Sequence, residues 1–280
     1  MNALIPLFFD IESIPGQRPD IRQRYESDAS GELAMIDADL KAELESIAPP
    51  ANIKDPEKIT DWWVNKAPEK KAALMEKAQA ARVKVQEGVD EKWRKTALSG
   101  ALGQVVVIGL AMGDDIPMTL AAGDLSAKAE ADLLRSFFSL IEELCRARGV
   151  PTLSLRWVGH NSAGFDIRFI FQRCVVLGVR IPRWFVTLIA SKPWESERNF
   201  DTMVQWAGTK DRISMDNLCF ALGIEGKGSG LEAEGIDGSK VWDFVRDGRI
   251  NEVATYCEGD IERTRSMYQR IVDVTEYSIE

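Results

Sequence analysis

Cysteine is scarce in this 280-residue chain: Cys145, Cys174, Cys219 and Cys257 are widely scattered and form no Cys-x-x-Cys pair. Neither a zinc site nor a disulfide framework is indicated, and the four thiols read as reduced, buried, small apolar groups. Positive charge is also in short supply. The 35 Lys and Arg against 44 Asp and Glu leave a formal charge of −9, which argues against a protein that coats long nucleic acids by bulk electrostatics. A site where bound cations and a few local lysines supply the positive charge stays open. Long hydrophobic runs are missing too. The apolar start from Ala3 to Phe9 has no basic flank and no small-residue cleavage site, and Asp10 cuts it too short for a signal peptide or a membrane span. It is expected to be the first strand of a cytoplasmic protein that makes no use of a membrane. What remains, 45% hydrophobic and 28% charged, is an ordinary globular composition long enough for a substantial core.

Among what is there, Leu7-Phe-Phe-Asp-Ile-Glu-Ser13 stands out. A strand has a side-chain period of two, so Asp10 and Glu12 share one face while Phe9 and Ile11 take the other. Two acids side by side on an otherwise apolar strand repel each other and lose hydration, a cost of several kcal/mol unless a cation compensates. The pattern points to a divalent metal, against the alternative of a solvated strand end.

Residues 17–98 carry no strand signal. Leu33, Ile36, Leu40 and Leu44, then Leu74, Ala78, Ala81 and Val85, repeat with a helical period on either side of the Ala48-Pro-Pro-Ala51 break. The second half is rich in lysine and arginine, including Lys70, Lys71, Lys77, Arg82 and Lys84. That face could touch a phosphate backbone; the alternative is a solvated face laced with ion pairs. A strand buried on both faces is expected at Gln104 to Met112, and a short one at Met118 to Ala121. Ser126 caps a periodic helix that Gly149 ends. A strand over Leu153 to Val158 runs into Gly159-His-Asn-Ser-Ala-Gly-Phe-Asp166, so Asp166 begins a helix at a strand-to-helix junction, where open α/β sheets place ligands. Asp201 and Ser214 read as helix caps, with capping preferred over catalysis for Asp201. Gly226-Lys-Gly-Ser-Gly230 is a flexible loop that could offer Lys227 and backbone N–H groups to a phosphate, although it lacks the spacing of a nucleotide-binding loop. A last helix from about Ile250 to Val274 turns Val253, Cys257, Ile261 and Met267 to the core and stacks Tyr256 over Asp260 one turn apart.

In order, then, the chain has Asp-x-Glu on a first strand, Asn161-x-x-x-Phe165-Asp166 after a later strand, and Tyr256-x-x-x-Asp260 on a C-terminal helix. This resembles the DnaQ-like, or DEDD, 3′-5′ exonuclease superfamily in its DEDDy branch. The nearest likeness is to the predicted exonucleases related to the proofreading domain of family B DNA polymerases. It runs over Leu4 to Ser13 and then from about Leu98 onward, and includes Asp237-Gly-Ser-Lys-Val-Trp-Asp. The sister branch has histidine where this chain has Tyr256. The single histidine, His160, lies inside the second motif, where a structural role is preferred.

The resemblance implies an α/β fold of the RNase H-like kind, a mixed central sheet flanked by helices. It is read as a single domain over residues 1–280 with a helical insertion at about 17–98. It also implies two Mg²⁺ or Mn²⁺ ions, which suit an all-oxygen site better than zinc. Asp10 would bridge both ions, Glu12 and Asp260 would hold the one that activates water, and Asp166 would hold the other. Tyr256 would position the attacking water, Asn161 and Phe165 would shape the substrate pocket, and the Ile11 backbone would contact the terminal nucleotide. The implied substrate is the 3′ end of single-stranded DNA, in repair, recombination or replication, with room for a protein partner in those processes. Two alternatives stand beside it: an exoribonuclease, and a non-catalytic nucleic-acid-binding module on the same fold.

Overall fold

The structure, a computed structural model, describes residues 4–192, 194–226 and 234–275. The chain divides into two compact units, one of residues 1–17 together with 96–280 and one of residues 18–95. β1 (Ile5–Ile14) opens the first unit, and the second follows as α1 (Pro19–Glu45), α2 (Pro56–Asp61), a π-helical turn at Trp62–Lys66 and α3 (Ala67–Arg94). In that second unit α1 and α3 pack along each other, and a groove of about 280 Å³ between them is lined by Ile36, Leu40, Leu74, Ala78 and Ala81. Two of the basic residues considered for phosphate contact are taken up across this hairpin: Lys77 pairs with Glu43 at 3.3 Å and Arg82 with Asp37 at 2.6 Å. For these two the ion-paired, solvated face is the observed arrangement. Exposed pairs of this sort contribute about 0 to 1 kcal/mol each.

The first unit continues through β2 (Gln104–Met112), β3 (Met118–Ala121), α4 (Ala127–Arg148), β4 (Leu155–Gly159) and α5 (Asp166–Leu177). It ends with α6 (Arg183–Ala190), β5 (Asn199–Asp201), α7 (Thr202–Ala207), α8 (Met215–Leu222), α9 (Val241–Arg246) and α10 (Ile250–Thr275). The excursion through residues 18–95 leaves and returns at neighbouring points: the Gly16 N–H donates to Thr96 Oγ1 at 3.0 Å and the Ser13 hydroxyl to the Ala97 carbonyl at 2.7 Å.

The five strands form the expected mixed sheet in the order β3-β2-β1-β4-β5. β1 lies at its centre, parallel to β4 and antiparallel to β2, while β5 is parallel to β4. All nine positions of β2 are buried, as its unbroken Val-Val-Val-Ile run requires of a strand covered on both faces. Helices cover both sides. Leu7, Phe9 and Ile11 of β1 pack with Phe137, Ile141, Phe169 and Phe185 of α4, α5 and α6. On the opposite face Ile14 joins Val253, Tyr256 and Cys257, and Phe8 joins Ile261 and Ile271, all from α10. The period-two reading of β1 therefore directs Asp10 and Glu12 toward α10. A one-residue register shift separates Glu12, opposite Val107, from Ser13, opposite Val105; such bulges recur beside functional sites because they re-aim side chains.

Several boundaries differ from those the sequence suggests. Residues 199–201 are a three-residue parallel edge strand before the helix that Asp201 caps, too short to show alternation. β4 starts at Leu155 after a 3₁₀ turn at Thr152–Ser154, and α6 and α9 were not anticipated. Among the described residues no helix is long and apolar enough to cross a membrane.

α5, which carries Asp166, is anchored by a buried ion pair that the sequence pattern does not announce. Arg173 Nε and Nη2 donate to Glu130 Oε1 and Oε2 at 2.7 and 2.8 Å, and Arg173 Nη1 donates to the Gly100 carbonyl at 3.2 Å. Glu130 Oε1 also accepts the Val105 N–H at 2.9 Å, tying α4, α5 and the start of β2 together. Removing one partner leaves an uncompensated buried charge. Glu130→Ala is therefore expected to lower the unfolding free energy by about 3 to 5 kcal/mol in urea denaturation, and a loss below 1 kcal/mol would show the pair to be dispensable.

Candidate metal centre

Asp10 and Glu12 reach the α10 side of the sheet, Asp10 half-buried and Glu12 buried. From α10, Tyr256, Cys257 and Asp260 come down onto them, all three buried. One donor atom each of Asp10, Glu12 and Cys257 lies within 4.8 Å of the others. The Cys257 thiol donates to the Asp10 carbonyl at 3.7 Å and to Asp10 Oδ2 at 3.6 Å. Burial pushes both the Cys257 thiol and the Tyr256 phenol well up. For Tyr256 the charges of Asp260, Glu12 and Asp10 add to the rise in that order; for Cys257 those of Asp10, Glu12 and Asp260 do. Tyr256 is thus fixed as a protonated hydroxyl, a hydrogen-bond donor rather than a base.

This approach of α10 depends on a glycine in the middle of an otherwise bulky strand. Gly109 of β2 is the residue opposite Asp10, and a Cβ there would stand 2.5 Å from Ile261 Cδ1 and 2.7 Å from Cys257 Sγ.

Asp166 arrives from the third element. It is buried at the start of α5, and its Oδ1 accepts the Ile11 N–H at 3.2 Å. Burial, more than any other cause, pushes its carboxyl up to about 7; its own N–H and that of Ile11 pull it down, and the charges of Asp201 and Asp260 push it further up. Asp166 therefore lies in the field of Asp260 and against the amide between Asp10 and Glu12, while the donor atoms within one ion's reach of each other among the described residues are those of Asp10, Glu12 and Cys257. The Ile11 N–H is taken up by Asp166, so the expected backbone contact of Ile11 with a nucleotide does not run through that amide. Asn161 and Phe165 lie half-buried in the turn that leads to Asp166, with Asn161 in the left-handed region at φ 63°. Lys227 lies outside the described residues.

Asp201 does more than cap α7. Besides the Met203 and Val204 N–H groups at 3.0 and 3.3 Å, it accepts the Asn161 and Ala163 N–H groups, each at 2.9 Å, and so shapes the whole turn before Asp166. His160 is held between Thr202 Oγ1 at 2.9 Å and the Ile213 carbonyl at 3.0 Å, a structural placement. Two contributors escaped the sequence reading. One is Gly109, whose only signal was its oddity within Val-Val-Val-Ile-Gly-Leu-Ala. The other is Arg263, whose Nε and Nη2 donate to Asp260 Oδ1 at 3.1 and 2.7 Å; its signal was the three-residue spacing from Asp260.

The residues present fit divalent cations. Carboxylates buried together resist ionising together, a resistance that a cation among them removes, and their oxygens are the donors that Mg²⁺ and Mn²⁺ take.

A family described as a predicted 3′-5′ exonuclease related to the exonuclease domain of PolB matches residues 96–277, well over half of the chain. Among solved structures, the family B DNA polymerase from the hyperthermophilic archaeon Pyrobaculum calidifontis is similar at 19% identity and a TM-score of 0.45, over 62% of this chain and 22% of that one. The chain thus spans about a fifth of that polymerase. No curated protein sequence matches.

The Gly109 contact generates a direct test. Gly109→Val forces Ile261 and Cys257 away from the sheet, and overpacking of this kind costs about 1 to 3 kcal/mol. Urea denaturation should show that loss, and the rise in melting temperature on adding Mn²⁺ should shrink because α10 no longer lies against Asp10 as it does through Cys257. Wild-type values for both would mean that α10 does not need this close approach.

Proposed function

Since the chain belongs to the family of predicted 3′-5′ exonucleases related to the exonuclease domain of PolB, we propose that it removes nucleotides from the 3′ end of single-stranded DNA at the acids gathered from β1, α5 and α10. The observation that carries this reading is the convergence itself: Asp166 bonded to the Ile11 N–H between Asp10 and Glu12, and Tyr256 in the field of Asp10, Glu12 and Asp260. In this reading Asp10, Glu12, Asp166 and Asp260 would hold Mg²⁺ or Mn²⁺ ions. The chemistry supplied there when metal is bound would be activation of the attacking water and stabilisation of the leaving 3′ oxygen.

The chain's own groups do the rest. Tyr256, kept protonated by burial and its acidic neighbours, donates a hydrogen bond that orients the attacking water. The Asn161 turn, braced by Asp201, and the Phe165 ring against Phe169 shape the pocket for the terminal nucleotide. Lys227 would contribute a phosphate contact from its loop. Replication or repair proteins are the partners that such an activity would meet.

The test is incubation of 5′-labelled single-stranded DNA and RNA of one sequence with Mn²⁺, Mg²⁺ or chelator. Laddered shortening of the DNA from its 3′ end is expected, abolished by chelator and by Asp10→Ala. Activity that survives Asp10→Ala removes the metal assignment, and preferential shortening of the RNA replaces the substrate. Tyr256→Phe keeps the ring and its packing but loses the donor, so kcat should fall by roughly ten- to a thousandfold with KM nearly unchanged, as for a contact that matters mainly in the transition state. A fully active Phe variant takes Tyr256 out of the mechanism.

A further inference from the structure

One buried charge at the centre has no part in the reaction as set out. Arg263 lies one turn beyond Asp260 on α10, and both side chains are almost fully buried, 6% and 7% exposed. Other three-apart pairs in the chain keep their carboxylates in solvent; Glu252 beside Arg249 and Glu262 beside Arg265 are 40% and 49% exposed. An exposed pair of that spacing contributes little, whereas burying two ions together costs more than their attraction returns unless the geometry is good. The geometry here is specific. Two N–H groups of one planar guanidinium converge on a single oxygen, Oδ1 of Asp260, and two donors held in one rigid plane fix the position of that oxygen more closely than a lysine ammonium would.

What the orientation serves is visible in the surroundings. The charge of Asp260 is felt by both Asp166 and Tyr256, and that of Arg263 reaches Tyr256 with the opposite sign. A carboxylate free to rotate would present its oxygens to the other acids in several ways. One pinned by a neighbouring cation presents them in one way and is partly compensated before any metal arrives.

We propose that Arg263 is a positioning residue for the metal centre, holding the Asp260 carboxylate in the orientation that takes a divalent ion. The inference rests on Asp260 being a metal ligand, as proposed above. Outer groups that orient a ligand change metal affinity by roughly ten- to a hundredfold when removed.

The test titrates Mn²⁺ against the wild type, Arg263→Gln, Arg263→Lys and Asp260→Asn, read both as the metal-induced rise in melting temperature and as the Mn²⁺ concentration giving half-maximal cleavage of single-stranded DNA. Arg263→Gln should raise both half-saturating concentrations by roughly ten- to a hundredfold. Arg263→Lys, which restores the charge without the fork, should recover part of the loss, and KM for DNA at saturating Mn²⁺ should stay close to wild type. A purely structural role would lower the melting temperature of the metal-free protein and leave half-saturation where it was; that result, or tighter metal binding, overturns the proposal. Should Arg263→Gln not fold, Arg263→Lys decides alone, and half-saturation equal to wild type overturns it. If instead the wild type shows no Mn²⁺ response, or Asp260→Asn keeps it in full, the metal assignment itself fails and the role of Arg263 falls with it.

Discussion

The hydrogen bond from the Ile11 N–H to Asp166 Oδ1 joins residues 155 positions apart in the chain and places a buried carboxylate against the strand that already bears Asp10 and Glu12. Much else in the first unit bears on that contact. β1 has to lie between β2 and β4 for its acid-bearing face to meet α10 and its apolar face to meet α4 and α5. α5 has to start where it does, which the four N–H groups gathered by Asp201 and the Glu130–Arg173 pair secure from its two ends.

Burying like charges together runs against the ordinary preference of carboxylates for water, so the fold surrounds them with devices that hold them in place. Backbone N–H groups serve Asp166 and Asp201, a guanidinium serves Asp260, and the Cys257 thiol lies against Asp10. Gly109 works by absence, leaving room for α10 to descend. On the other face of β1 the rings of Phe9, Phe137 and Phe185 pack edge-on around Trp157.

Much of this architecture was legible from residue order. The alternation in Leu7-Phe-Phe-Asp-Ile-Glu predicted which face Asp10 and Glu12 share, the unbroken Val-Val-Val-Ile run predicted a strand covered on both sides, and Ser126 and Gly149 marked both ends of α4. Asp201 was legible as a cap because the signal is local. β5 was not, since a three-residue strand on a parallel sheet edge takes its identity from β4 and has no period of its own. Gly109 and Arg263 escaped for a related reason. Periodicity reveals which face of an element is buried but not which residue of another element comes to rest against it, and both act only through such a partner. Two basic residues of α3 show the converse: composition made them look available, and the structure pairs Lys77 and Arg82 with α1.

β1 sits in the middle of its sheet and carries acids that meet α10, the last helix among the described residues, so contacts at the centre span nearly the whole described chain. Contacts of such large sequence separation form late, because the intervening loop has to close first. A chain still being synthesised, or one clipped ahead of α10, would hold Asp10, Glu12 and Asp166 without Tyr256 and Asp260. Assembly of the centre is therefore a report on completed folding.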